Sequence, residues 1–224
     1  QILKTKFNVP RTKTASIIVI EQIYNLIGLV IVSCIGLGLI MTFQIEFFEV
    51  TSFVIMGATI VLIFILILIK SKTAFEKVFH KFSKFKFISK YELSYEESYE
   101  VIKKSLNGKL LIFSTFLSAA FWIIESVVVY FVLLAFNVDI LEFTTIIATY
   151  TSSIILGVAS FLPMGIGVTE GSLAGFFALK GVDISLALTI VIFIRIFTRW
   201  IGVGLGFILL KIIGGFSIES EKEN

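Results

Sequence analysis

The sequence is poor in the residues that build disulfides, metal centres and acid–base sites. Its 224 residues include one cysteine, Cys34, and one histidine, His80. A lone cysteine excludes a disulfide framework, and one Cys with one His excludes a Cys/His metal cluster. We therefore expect no metal, no cofactor and no catalytic residue.

Charge is also scarce. Asp, Glu, Lys and Arg make up 16% of the chain, whereas soluble domains carry about 25%. Hydrophobic residues make up 57%, and the mean hydropathy is +1.02. This composition is typical of membrane proteins, and with a net charge of only +3 we expect no nucleic-acid partner.

Four apolar runs are long enough to cross a hydrocarbon core about 30 Å thick. They cover residues 15–41, 53–69, 110–136 and 184–210. We expect an all-α, polytopic helical membrane protein with a single, partial transmembrane domain over residues 1–224. Because the chain begins with Gln1, we also expect an N-terminally truncated fragment of a longer protein.

Residues 70–109 form the one long polar stretch and hold ten lysines. Basic residues are enriched in cytoplasmic loops, so this stretch is predicted to be cytoplasmic in a multi-pass protein of the plasma membrane. The connections 42–52 and 137–142 contain no Lys or Arg and are predicted to lie outside. The lysines could also bind anionic head groups, although the ordinary charge bias explains them without a specific partner.

The apolar region 143–180 is interrupted by Pro163, Gly165 and Gly167. Proline removes a helical hydrogen bond and glycine allows conformations closed to other residues, so the backbone is predicted to break here. Broken backbone at membrane depth must be buried in protein or line a wet cavity. A re-entrant, broken-helix hairpin over 143–180 would satisfy this rule. It would also let the last span end on the cytoplasmic side. A loop at the membrane surface is the plainer alternative.

Glu125, Arg195 and Arg199 lie deep inside the spans, and Glu170 lies in the interrupted region 143–180. Charges at such depth are costly and usually face a partner or a water-filled cavity. The arginines could bind a phosphate while the carboxylates balance them. They could equally form a structural Glu–Arg network, and Arg199 could simply reach the interface beside Trp200.

The last span also carries Gly202 and Gly206, a small-residue pair that lets another helix approach closely. This is a packing signal, and an oligomer is one possible use of it.

The C-terminal half resembles a known family, the lysylphosphatidylglycerol synthase transmembrane region, also called the flippase-like or UPF0104 membrane family. The resemblance rests on the run "LPMGIGVTEG", on a glycine ten residues later and on an arginine in the final span. These features fall on Pro163, Gly165, Gly167, Glu170, Gly181 and Arg195. The span around Trp122 and Glu125 resembles the family's Trp-x-x-Glu segment.

Two positions depart from the family pattern. Met164 stands where the family often has glycine, and Gln22 follows Glu21 where the family has Glu-Arg with a nearby Asp. The resemblance covers nearly the whole chain. Family members also have further N-terminal spans, including an earlier Pro-Gly element.

The resemblance implies a protein that binds and translocates a phosphate-bearing lipid or lipid-linked substrate. Arg195 and Arg199 would then hold the phosphate, Glu170 and Glu125 would balance them, and Pro163, Gly165 and Gly167 would shape the break. The expected partners are membrane lipids, anionic or phosphate-bearing. The alternative is a non-transporting scaffold for a partner synthase or glycosyltransferase, and an intramembrane enzyme is the least favoured of the three readings.

Overall fold

The computed structural model describes residues 11–40, 45–83, 95–106 and 108–212, and all its regular elements in these ranges are helices. They are α1 Arg11–Ile40, α2 Ile45–Lys70, α3 Lys72–Ser83, α4 Tyr95–Ser105, α5 Lys109–Ala135, α6 Phe143–Ala159, α7 Val168–Leu179, α8 Ile184–Arg195 and α9 Ile201–Ile212. A 3₁₀ turn at Pro163–Gly165 lies between α6 and α7, and a π-helical turn at Ile196–Trp200 joins α8 to α9.

Within these residues, four helical segments are long and apolar enough to cross a membrane. They are Thr14–Leu39, Thr51–Lys70, Lys109–Ala135 and Ile184–Ile212. At about 1.5 Å per residue, even the shortest reaches about 30 Å. The all-α, polytopic membrane class is therefore confirmed. Helix α6, with 17 residues, is shorter than these spans.

The described chain divides into two compact units. The first contains the N-terminal part of α1 up to Ile27 and the stretch Ile60–Ser118. Its core joins Ile20 and Ile23 of α1 to Ile69 of α2 and Ile102 of α4. The hydroxyl of Tyr24 donates to the carbonyl of Ser105 at 2.5 Å, so α1 is tied to the end of α4.

Two amphipathic helices, α3 and α4, occupy part of the predicted polar loop. The rings of Phe75 and Tyr99 lie 5.4 Å apart and join them. His80 is exposed on the polar side of α3, 3.9 Å from Glu76 one turn earlier. The second of these helices, α4, agrees with the order of acidic and then basic residues after Ser94, which favours a helix.

The second unit contains the stretches Gly28–Thr59 and Ala119–Asn224. Its innermost element is α6, in which eleven consecutive residues, 145–155, are buried. A helix that is covered on all sides needs its polar side chains satisfied locally. Several do so on their own helix: the hydroxyls of Thr149 and Ser153 donate to carbonyls four residues earlier, at 2.9 and 2.8 Å.

Helices α6 and α7 form a hairpin that is closed by contact between two glycines. A Cβ atom built on Gly165 would lie 2.8 Å from the Cα atom of Gly157 and 2.6 Å from the hydroxyl oxygen of Thr169. Gly165 also has a φ of +65°, in the left-handed region that favours glycine. The break therefore depends on close backbone approach, and Gly157 is as necessary as Gly165.

We predict that Gly157→Ala and Gly165→Ala will each destabilise the protein. The added methyl overpacks the hairpin, which costs about 1–3 kcal/mol, and at Gly165 the left-handed backbone adds strain. The matched control is Gly171→Ala, because Gly171 lies in α7 with open space around it and alanine favours a helix. Thermal unfolding in detergent measures all three, and equal melting temperatures would contradict the prediction.

Candidate functional site

Arg195 and Arg199 lie at the π-helical turn Ile196–Trp200 of the last span. In a regular α-helix, residues four apart lie on one face. A π turn is wider, with bonds from residue i to i+5. The amide of Ile201 makes such a bond to the carbonyl of Ile196. The side chain of Arg195 reaches a carboxylate on α7, and the side chain of Arg199 reaches one on α5.

Arg195 ties the last span to the hairpin. Its Nε donates to Glu170 Oε1 at 2.5 Å, and its Nη2 donates to the carbonyl of Met164 at 2.5 Å. The other oxygen of Glu170 accepts the backbone N–H of Gly167 at 2.6 Å, which caps the start of α7. One carboxylate thus joins the arginine to the helix terminus, and the side chain of Arg195 is only 4% exposed.

The backbone that Arg195 holds is strained. Met164 has a φ of +57°, in the left-handed region that costs most residues about 1–2 kcal/mol. Glycine would avoid this cost. The hydrogen bond from Arg195 to the Met164 carbonyl helps to keep the turn in this conformation.

Arg199 lies in a second arrangement built on α5. Its two terminal nitrogens each donate to one oxygen of Glu125 at 3.1 Å, a bidentate pair. The guanidinium stacks over Trp122, 5.5 Å from the ring centre, where the attraction is of cation–π type. The hydroxyl of Tyr150, which is completely buried on α6, donates to Glu125 Oε2 at 2.7 Å.

The structure therefore joins the four predicted charged residues in two separate pairs. Pro163 begins the 3₁₀ turn, and Gly165 and Gly167 take left-handed φ values of +65° and +84°. The carboxylate of Glu170 accepts the N–H of Gly167 at the start of α7. One alternative expected from the sequence is not observed, because Arg199 lies over Trp122 and does not reach outward beside the exposed Trp200.

Sequence reasoning missed four contributors to this site. They are Tyr150, Gly157, Thr169 and the carbonyl of Met164. Tyr150 had one available signal, since a phenol within a long buried stretch needs a hydrogen-bond partner. The glycine contact and the carbonyl acceptor left no pattern in the sequence. Among the described residues, no group of three or more His, Cys, Asp or Glu side chains could hold a metal ion.

The family described as "Lysylphosphatidylglycerol synthase TM region" matches residues 2–206. The chain belongs to this family. The family resemblance predicted from the sequence is thereby confirmed.

Two curated relatives of the family are both described as UPF0104 membrane proteins. The protein of Methanocaldococcus jannaschii is 25% identical over 213 residues, which cover 95% of this chain and 87% of the relative. The protein of Methanothermobacter thermautotrophicus is 34% identical over 99 residues, which cover 44% of this chain and only 29% of the relative's own length. No solved structure matches.

Membership of the lysylphosphatidylglycerol synthase TM-region family, together with four apolar helices, places the chain in a membrane. Neither the family description of this region nor the relatives' names assign a catalytic activity to it.

We predict that Glu170→Ala and Arg195→Ala will each cost about 3–5 kcal/mol of unfolding free energy, because either change leaves a largely buried partner uncompensated. The double variant should cost much less than the sum of the two. Arg195→Lys should not rescue, because one ammonium cannot reproduce two donors set in a planar fork. A double-mutant cycle measured by denaturation in detergent checks this. Additive losses would mean that the two side chains do not stabilise each other.

Proposed function

We propose that this protein binds and translocates a phosphate-bearing lipid, and that Arg199 is the residue that takes the phosphate. The supporting observation is the difference between the two arginines. Arg195 is 4% exposed and donates to two protein acceptors, whereas Arg199 is 24% exposed and is held by one carboxylate. Only Arg199 has a side chain that a ligand can approach without opening the hairpin.

The pairing of Arg199 with Glu125 suits an exchange of partners. A guanidinium presents the same planar fork to a carboxylate and to a phosphate. When a phosphate replaces Glu125, the guanidinium keeps its place over Trp122. Glu125 keeps the hydrogen bond from Tyr150, which lowers the cost of leaving its carboxylate without the arginine. Glu125 therefore acts as an internal stand-in for the phosphate in the unliganded state.

Arg195, Glu170, Pro163, Gly165 and Gly167 have a different role in this proposal. They hold the hairpin in the shape that packs against the last span. Their substitution should then reduce translocation through folding, whereas substitution of Arg199 should reduce it in a folded protein. From the sequence, all seven residues were expected to form one substrate-binding site. The proposal keeps Arg199 and Glu125 as the exchanging pair.

A second candidate is a non-transporting scaffold for a partner synthase or glycosyltransferase. The observation that favours it is that both arginines are already paired with carboxylates. In this case the ion pairs serve packing alone. For either function we propose a plasma-membrane location with the lysine-rich residues 70–109 on the cytoplasmic side, following the distribution of basic residues.

The test is lipid translocation in proteoliposomes of phosphatidylglycerol and phosphatidylcholine, with a fluorescent lipid and an external quencher. We expect the unmodified protein to move the label. We expect Arg199→Ala to lose most of this activity at temperatures where it is still folded, although its melting temperature should fall because the buried Glu125 loses its partner. Arg199→Lys should keep part of it, because the charge remains while the fork is lost. The matched control is Lys211→Ala, an exposed cation further along the same span.

Two results would count against the proposal. The first is the absence of translocation by the unmodified protein. The second is an Arg199→Ala variant as active as the Lys211→Ala control. If Arg199→Ala instead lost a co-purifying enzyme while translocation stayed absent throughout, the scaffold function would be supported.

A further inference from the structure

The turn between α6 and α7, residues 161–167, exposes an apolar surface that we call the hairpin tip. Its sequence, "FLPMGIG", contains no charged or polar side chain. Phe161 is 95% exposed, and three further apolar side chains are also exposed: Leu162, Met164 and Ile166. The Arg195–Glu170 pair is attached to the tip through Met164 and Gly167. The tip is therefore an apolar cap next to a charged anchor.

The residue at the end of α6 is unusual for its backbone conformation. Helices in this chain end repeatedly on a left-handed residue, at Asn137 after α5 and at Gly181 after α7. Glycine and asparagine are the residues that tolerate this conformation best. Phe161 has the same φ, +56°, as Asn137. A phenylalanine that is both strained and almost fully exposed is unfavourable in water.

The connection at Asn137 gives an internal comparison. It is followed by exposed Asp139 and Glu142, and it has the composition of a turn in water. The hairpin tip has the same left-handed start but only apolar side chains. Both turns begin with a left-handed residue, but one carries polar side chains and the other only apolar ones. This difference indicates that the two turns lie in different surroundings.

The tip backbone also makes its hydrogen bonds internally. Pro163 has no N–H group, and five of the other six residues donate theirs within the hairpin. The acceptors are Val158 O for Phe161, Ser160 Oγ for Leu162, Leu162 O for Gly165, Pro163 O for Ile166 and Glu170 Oε2 for Gly167. Exposed polar backbone is what excludes irregular structure from lipid. In this turn, five of the six N–H groups are already paired, so most of the cost of placing its N–H groups in lipid is removed.

We propose that the hairpin tip contacts the acyl chains of the bilayer, with Phe161 as its main contact. The sequence indicated that a broken backbone here would need protein or water around it. The structure supplies the hydrogen bonds from the hairpin itself and turns apolar side chains outward. This inference does not rest on phosphate binding by Arg199, so each can fail without the other.

The first test is the accessibility of a spin label in the reconstituted protein. Cys34 is changed to Ser, which removes the only cysteine in the chain, and single cysteines are introduced as Phe161→Cys, Leu205→Cys and Asn137→Cys. Leu205 is exposed on the apolar α9 and is the reference for lipid, whereas Asn137 is the reference for water. We expect the label at 161 to relax with oxygen as at 205, and to be several-fold less accessible to a water-soluble nickel chelate than at 137.

Two outcomes would overturn the proposal. Access to the nickel chelate as high as at 137 would place the tip in water. Protection from both reagents would mean that another protein segment or a second copy covers it.

A second measurement uses opposite expected signs. Phe161→Asn relieves the left-handed strain, so the variant should be more stable if the tip lies in water and less stable if it lies in hydrocarbon, where an amide is costly. We expect a lower melting temperature in lipid for Phe161→Asn and little change for Phe161→Leu. A higher melting temperature for Phe161→Asn would contradict the proposal even if the labelled variants failed to fold.

Discussion

A chain that leaves the helical path where water is scarce must find its hydrogen-bond partners within the protein. In this protein the constraint is met by the contact between Arg195 and Glu170. The same carboxylate accepts from the arginine and from the N–H of Gly167 just before α7, and the same arginine donates to the carbonyl of the strained Met164. The sharp break, the close approach of two glycines and the position of the last span all depend on this contact between Arg195 and Glu170.

Arg199 lies outside the contact between Arg195 and Glu170. With the hairpin already anchored, Arg199 is not needed to close the backbone, and it is held by a carboxylate, an indole and, through Glu125, a buried phenol. A bidentate pair in a partly exposed position has a replaceable partner, because phosphate and carboxylate present similar pairs of oxygens. In the function proposed above, stability depends on Arg195 and ligand exchange on Arg199, two neighbouring residues of one helical segment.

Sequence patterns predicted the apolar helices and the break at Pro163–Gly167, because hydrophobic run length and the chemistry of proline and glycine are local properties. They also identified Glu170 and Glu125 as the possible partners, since few other charges lie near the spans. They did not assign each partner, because the partner of each arginine depends on which helix packs opposite it. Gly157 and Tyr150 were missed because their roles depend on which segment packs opposite them. Part of the lysine-rich stretch proved to be helical, as Phe75 and Tyr99 bury one side of α3 and α4.

The π-helical turn also affects how homologous sequences can vary at this position. Such a turn corresponds to one extra residue inserted into an α-helix, and here the insertion lies between two arginines with separate partners. Removing one residue there would change the spacing of the two arginines from four residues to three, so the span would meet Glu170 of α7 and Glu125 of α5 in a different geometry. Homologues with a one-residue gap at positions 196–200 are therefore expected to hold these helices together differently.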